Sequence, residues 1–190
     1  MNNEKLMIFA GLVQKWSPRI NLVSKSDLPH LWERHIEDSL RLLPFIPASV
    51  TRAIDLGSGA GFPGLVICIA TGLPFDLIEV DARKAAFLME AARLTGAPAT
   101  IHNCRIEAAP VQPAPLITAR ALAPLEKLLG LAAPLLTDDG FCLFPKGRGI
   151  ETELTAASTL WHMDANRFSS PEWGESYILK VSQIRHAGSS

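Results

Sequence analysis

The stretch Ala53-Ile54-Asp55-Leu56-Gly57-Ser58-Gly59-Ala60-Gly61-Phe62-Pro63-Gly64 constrains the fold of this chain more than any other. A short apolar strand runs into a glycine-rich turn and then into the apolar helical run Leu65–Thr71, which Gly72 stops. Glycine adopts positive φ without a Cβ clash and lets a ligand come against bare main chain. A strand that turns this tightly into a helix opens a strand–helix–strand unit, and the same alternation continues downstream. Strands are expected at Phe75–Val80, Ala99–His102, Leu116–Ala119, Phe141–Phe144 and Tyr177–Ile184. Helices are expected at Arg83–Leu94, from Pro124 to Leu136, and at Ile150–Trp161, with Asp138-Asp139-Gly140 as a turn. The prediction is an α/β fold with a mostly parallel sheet covered on both faces.

Ahead of this unit lies a helical preamble. Leu6, Phe9, Val13 and Trp16 recur at helical spacing. A second helix is expected from Asp27 as N-cap, with Pro29 in its first turn and an apolar stripe of Leu28, Leu31, Trp32, Ile36, Leu40 and Leu43. Pro44 and Pro47 end it. Residues 1–46 thus read as a helical extension within a single domain spanning 1–190. With 48% hydrophobic residues the chain can build a full core. No apolar run approaches the ~18 residues of a membrane span. The run Leu6–Val13 has the length of a signal-peptide core, but Glu4 spoils its basic flank and no A-x-A site follows, so a cytoplasmic protein is expected. Cys68, Cys104 and Cys142 lack C-x-x-C spacing and sit among apolar neighbours. They read as buried free thiols, with no disulfide framework and no metal site.

Gly59-Ala60-Gly61-Phe62-Pro63-Gly64 fits G-x-G-x-x-G, which by itself allows a dinucleotide site. Two acids favour another ligand. Asp55 stands two residues before the first glycine, where a carboxylate repels a pyrophosphate but attracts a cation or amine. Glu79, closing the second strand, can accept both ribose hydroxyls of an adenosine, a feature shared with NAD sites. Together they match the arrangement expected for S-adenosylmethionine.

At this point the chain resembles a family. Asp55–Gly64 is similar to the cofactor loop of the bacterial small-subunit ribosomal RNA methyltransferases once called glucose-inhibited division protein B. Lys15-Trp16, Asn21-Leu22 and Arg34-His35-Ile36-Glu37-Asp38-Ser39-Leu40 match upstream elements of that family. Arg83–Leu88, Arg105-Ile106-Glu107, Arg120-Ala121 and Lys146-Gly147 match downstream ones. The resemblance implies a class I S-adenosylmethionine-dependent methyltransferase fold, Rossmann-like, with a seven-stranded sheet whose last strand is antiparallel. It implies methyl transfer to N7 of one guanine in 16S ribosomal RNA, free or in the assembling small subunit, by an enzyme expected to be a monomer. It further implies Gly57 and Phe62 as cofactor contacts of the loop, Ile106 and Glu107 beside the adenine, and Arg120 at the cofactor; the glycine pattern itself adds Asp55, Gly59 and Gly61 to the cofactor-binding residues. The chain departs from the family pattern at Ile78-Glu79-Val80-Asp81, which offers two acids where the family has one; Glu79 is taken for the ribose.

Guanine N7 carries a free lone pair, so its methylation removes no proton and needs no catalytic base; approximation and electrostatics suffice. The chain lacks the Asn/Asp-Pro-Pro-Tyr/Phe of exocyclic amine transfer, and its fourth strand ends in Ala119-Arg120 rather than an acid. His35 reads either as a base or as a locally bonded structural histidine, and Lys146 either as a phosphate or guanine contact or as a solvated loop lysine. The net charge of −1 disfavours a general nucleic-acid binder. The charge is uneven, however. Residues 1–25 hold four cations against Glu4, which leaves the remainder net acidic. Lys15, Arg19, Asn21, Arg34, His35, Lys146 and Arg148 are therefore the candidate RNA contacts. An NAD-dependent oxidoreductase and a small-molecule methyltransferase stay open as alternatives.

Overall fold

The computed structural model describes residues 2–188. Its centre is a seven-stranded sheet in the order β3-β2-β1-β4-β5-β7-β6. The strands are β1 (Ala53–Leu56), β2 (Phe75–Ile78), β3 (Ala99–His102), β4 (Ala114–Thr118), β5 (Leu136–Lys146), β6 (Trp161–Phe168) and β7 (Tyr177–His186). β7 alone runs against its neighbours, pairing antiparallel with both β5 and β6. All four residues of β1 are buried, as expected for a central parallel strand covered on both faces. Helices α3 (Gly64–Thr71), α4 (Ala82–Thr95), α5 (Leu125–Ala132) and α6 (Ile150–Ala157) supply the covers. Strand order reverses between β1 and β4, and in open α/β sheets a ligand crevice forms at the carboxyl ends beside such a reversal.

The helix α1 (Asn3–Ile20) packs on this unit through Leu6, Phe9 and Val13, all fully buried. Phe9 meets Phe62 of the glycine turn edge-on at 5.5 Å, and Trp16 meets Phe87 of α4 at 5.7 Å. The preamble therefore shares its core with the loop at the crevice.

Four expectations change. The second helix is not one α-helix. It is a 3₁₀ turn at Leu28–His30, a π-helical stretch at Trp32–Glu37 and the short α2 (Asp38–Leu40). The wider π turn admits an extra residue and re-aims those that follow, a device common at functional sites. Asp27 does not cap the segment; its carboxylate accepts from Ser24 and Arg34 instead. Residues 138–140 fall within the bounds of β5, which pairing with β4 extends back to Leu136, as a bulge between the paired Leu136 and Phe141. Finally, α6 ends at Ala157 and Trp161 begins β6, an edge strand too exposed to carry a clear apolar period. Cys68 and Cys142 are buried, whereas Cys104 is only partly so.

Candidate active site

The glycine turn leaves β1 with Gly57, Gly59 and Gly61 all at positive φ. The φ of 63° at Gly57 favours glycine, and a Cβ there would also press on a methyl of Leu122 at 2.6 Å. The turn is bonded to the end of β2: Ser58 N–H donates to Ile78 O at 3.0 Å, and Gly59 N–H to Glu79 Oε2 at 2.7 Å. Glu79 Oε1 accepts from Asp81 N–H at 2.7 Å. Each carboxylate oxygen has two acceptor positions, so one remains on each. Asp81 is committed elsewhere, capping α4 through Arg83 N–H and Lys84 N–H. The two acids thus divide, Glu79 at the turn and Asp81 at the helix.

Asp55 stands behind the turn. It is 1% exposed, and its Oδ1 accepts from Thr118 Oγ1 at 2.6 Å. Its Oδ2 has no hydrogen-bond partner among the described residues. Burial pushes the carboxyl up from 3.8 to about 6, against the opposing pull of the Thr118 hydroxyl. Gly64 accommodates it, since a Cβ there would lie 2.6 Å from Asp55 Cγ.

Two cavities open at the crevice. The first, about 420 Å³, is lined by Gly57, Gly59, Glu79, Ile106, Glu107 and Arg120 among others. Asp55, Gly61 and Phe62 do not reach it; they are buried and support the turn from below. The second, about 670 Å³, includes Asp38, Arg41, Lys146, Glu153, Trp173 and Tyr177 in its walls. Arg120, Ala121 and Leu122 line both and form the partition.

Arg120 faces the preamble as well as the cavities. Its Nη2 donates to His35 Nδ1 at 2.8 Å, and its Nη1 lies 3.4 Å from Asp38 Oδ2. The guanidinium sits over the Phe62 ring at 5.1 Å, and His35 stacks on the same ring at 5.0 Å. Because Nδ1 accepts, the neutral imidazole carries its proton on Nε2, a buried atom without a hydrogen-bond partner among the described residues. Burial and the adjacent Arg120 charge hold the His35 pKa below its ordinary value. His35, within the π-helical stretch, and Asp38, just after it, both meet this arginine.

The other candidate contacts are spread out. Lys15 and Arg19 are exposed on α1. Asn21 terminates that helix at φ 51°, its N–H donating to Ser17 O, so it has a local structural task. Arg34 pairs with Asp27 at 2.6 Å and Arg148 pairs with Glu175, both on the surface. Lys146 is largely buried and donates to Glu153 Oε2 at 2.6 Å. Sequence reasoning missed Arg41, Glu153, Trp173 and Tyr177. Arg41 lies over the Trp173 ring at 5.6 Å. An aromatic between Pro171 and Gly174, just ahead of a strand, was the signal available for Trp173.

The profile of the family described as GidB, rRNA small subunit methyltransferase G, matches residues 2–175. The ribosomal RNA small subunit methyltransferase G of Granulibacter bethesdensis is 50% identical over 181 residues, 95% of this chain and 85% of that protein. The protein of the same name from Gluconobacter oxydans is 52% identical over 183 residues, 96% of this chain and 94% of that one. Among solved structures, a ribosomal protein L11 methylase from Lactobacillus delbrueckii subsp. bulgaricus superposes with a TM-score of 0.61 at 18% identity, covering 80% of this chain and 79% of that one. The N-methyltransferase NodS of Bradyrhizobium japonicum with bound S-adenosyl-L-homocysteine also gives 0.61, at 15% identity over 92% of this chain and 98% of that one. These likenesses show the fold, and the family match, which is to methyltransferases, displaces the oxidoreductase reading. By profile and by sequence identity over nearly its whole length, the chain belongs to the rRNA small subunit methyltransferase G family.

Proposed function

We propose that this chain transfers a methyl group from S-adenosylmethionine to N7 of a specific guanine in 16S ribosomal RNA, free or in the assembling small subunit. The observation that carries the reading is the pair of adjoining cavities at the switch point, one floored by the glycine turn and Glu79, the other walled by cations and aromatic rings. The residues fit the cofactor. Glu79 keeps one acceptor position on each oxygen, suited to two ribose hydroxyls. The Cβ position of Gly59 is nearly open, its nearest neighbour being Gly57 O at 3.7 Å, so a ligand can lie against the main chain. The unpartnered Asp55 Oδ2 beneath the turn favours a cationic ligand.

When bound, S-adenosylmethionine supplies an activated methyl group on a positively charged sulfur. The chain supplies position and exclusion of water. Gly57, Gly59 and Glu79 hold the nucleoside part, and Ile106 and Glu107 flank the adenine. Asp55, Gly61 and Phe62 brace the turn from below. Arg120, locked by His35, Asp38 and Phe62, sets the partition between cofactor and acceptor. No side chain need remove a proton from N7, so none is assigned as a base. Lys15, Arg19, Arg34 and Arg148 contribute contacts to RNA phosphates. Both cavities form within one chain, which supports action as a monomer, and the RNA substrate supports a cytoplasmic site of action. Among the described residues no helix is long and apolar enough to cross a membrane and no His, Cys, Asp and Glu group is arranged for a metal.

The test is methyl incorporation from labelled S-adenosylmethionine into deproteinised 16S RNA and into intact small subunits from a strain lacking this gene, followed by nucleotide mapping. Label at one guanine N7 is expected. Incorporation into neither substrate overturns the reading.

A further inference from the structure

The second cavity contains two carboxylates with different commitments. Asp38 has both oxygens opposite guanidinium groups, Oδ1 at 3.1 Å from Arg41 Nη1 and Oδ2 at 3.4 Å from Arg120 Nη1. Glu153 is arranged otherwise. Its Oε2 alone accepts both from Leu125 N–H at 2.9 Å and from Lys146 Nζ at 2.6 Å. Its Oε1 has no hydrogen-bond partner among the described residues. Both side chains line the cavity, that of Lys146 10% exposed and that of Glu153 29%. Two elements clamp this one side chain, the first turn of α5 and the end of β5, while it is itself carried on α6.

The position of the carboxylate matters as much as its fixing. The partition with the cofactor cavity is Arg120-Ala121-Leu122, and Glu153 is absent from the first cavity's walls. A guanine with its N7 edge toward the partition turns N1–H and the 2-amino group away from it. Those are donors, and an anchored carboxylate is their complement. Adenine presents an unprotonated N1 there and no 2-amino group, so it would leave the carboxylate unpaired or opposed. Trp173, held under Arg41, and Tyr177 offer aromatic surface for the base in the same cavity.

We propose that Glu153, anchored through Oε2 by Lys146 and the Leu125 N–H, takes N1–H and the 2-amino group of the acceptor guanine on its free Oε1 and is the residue that selects guanine. This rests on the RNA guanine-N7 reading above. It assigns Glu153 a part in base selection, with Lys146 as its positioning residue.

The test uses the full chain with 16S RNA carrying either guanosine or inosine at the mapped position. Inosine retains N7, O6 and N1–H and lacks only the 2-amino group. The wild-type protein is expected to methylate guanosine with a kcat/KM about tenfold or more above inosine, the scale of one well-formed base contact. In Glu153→Gln the Leu125 N–H and Lys146 hold the amide oxygen in the place of Oε2, an N–H₂ donor replaces the free Oε1, and the guanosine-to-inosine ratio is expected to fall toward one. A purely structural Glu153 would lower both rates together and leave the ratio intact; that result overturns the proposal. So does a wild-type ratio near one, which needs no variant to fold. Transfer to neither RNA by the wild-type protein brings down the function reading along with this one, whereas good transfer without discrimination brings down this one alone. Calorimetry with S-adenosylmethionine, expected to give the same affinity in Glu153→Gln, verifies that the variant's cofactor cavity is intact.

Discussion

Replacing Asp55 with asparagine is expected to make the ligand-free protein more stable and its cofactor binding weaker. The carboxylate is sealed under the glycine turn with one oxygen unpartnered, and its pKa stands at about 6 rather than 3.8. Above pH 6 the gap between those values corresponds to ~3 kcal/mol of folding free energy lost to keeping the group ionised. Asparagine removes that cost and can still accept from Thr118 Oγ1. Its amide N–H₂, taking the place of the unpartnered Oδ2, returns roughly 1–2 kcal/mol as an unsatisfied buried donor. The net expectation near pH 7.5 is a gain of about 1–2 kcal/mol, or roughly 2–8 °C in Tm for a chain of this size. The sign with pH follows from the raised folded pKa. Wild-type stability from this group is complete below the unfolded pKa and is lost as pH rises through the folded pKa. By pH 4.5 the ionisation cost has shrunk to about 1 kcal/mol, so the variant's advantage should vanish or reverse there. His35, whose pKa is lowered, gives a stability contribution that is lost as pH falls below its unfolded value, but it is common to both proteins and cancels in the difference. Thermal melts of both proteins from pH 4.5 to 8, with calorimetry for S-adenosylmethionine at pH 7.5, measure the effect. A lower Tm for Asp55→Asn at pH 7.5, or a Tm difference independent of pH, refutes the reasoning, as does undiminished cofactor affinity.

Glu79→Ala should weaken cofactor binding by about tenfold or more and cost about 2 kcal/mol in stability, because the Gly59 and Asp81 N–H groups both lose their acceptor; calorimetry and urea melts read the two effects, and unchanged affinity contradicts the assignment. Gly64→Ala should destabilise by about 3 kcal/mol or more, since the new methyl would lie 2.6 Å from Asp55 Cγ. The nearest atom is Asp55 Cβ, which only glycine removes, so in an Asp55→Gly background the penalty of Gly64→Ala should shrink in the same urea melts, and an equal penalty in both backgrounds would show that the clash is not the cause. Reversing the charges of Lys15 and Arg19 should flatten the salt dependence of RNA binding by roughly one unit of slope for each phosphate that is no longer neutralised. An unchanged slope in filter binding removes α1 from the RNA interface.

The strand–turn–helix at residues 53–72 was legible because local rules and global fold agree there. Glycine is required at positive φ, and apolar runs of strand and helix length flank it. For the same reason the parallel core and the family were readable from the residues. The failures share one cause. Asp138-Asp139-Gly140 keeps its turn chemistry as a bulge, but pairing of Leu136 with β4 puts it within a longer strand, and Trp161–Phe168 has little apolar period, so its neighbour β7 puts it into the sheet.

The acceptor cavity shows the division most clearly. The residues of the cofactor turn lie within a few positions of one another, and a short-range pattern can specify them. Glu153, Lys146, Arg41 and Trp173 come from four separate segments. Trp173 reaches the crevice because β7 runs antiparallel, which puts the start of that strand at the same edge as the ends of the others. His35 and Asp38 reach Arg120 because the preamble folds back over the crevice, across more than eighty residues of chain. Strand direction and the path of the preamble at these points are settled by long-range pairing and packing, which no window of sequence contains. Composition and local pattern therefore determined that this chain builds a methyl-donor turn on an α/β sheet. Tertiary structure alone decided which side chains stand on the far side of Arg120.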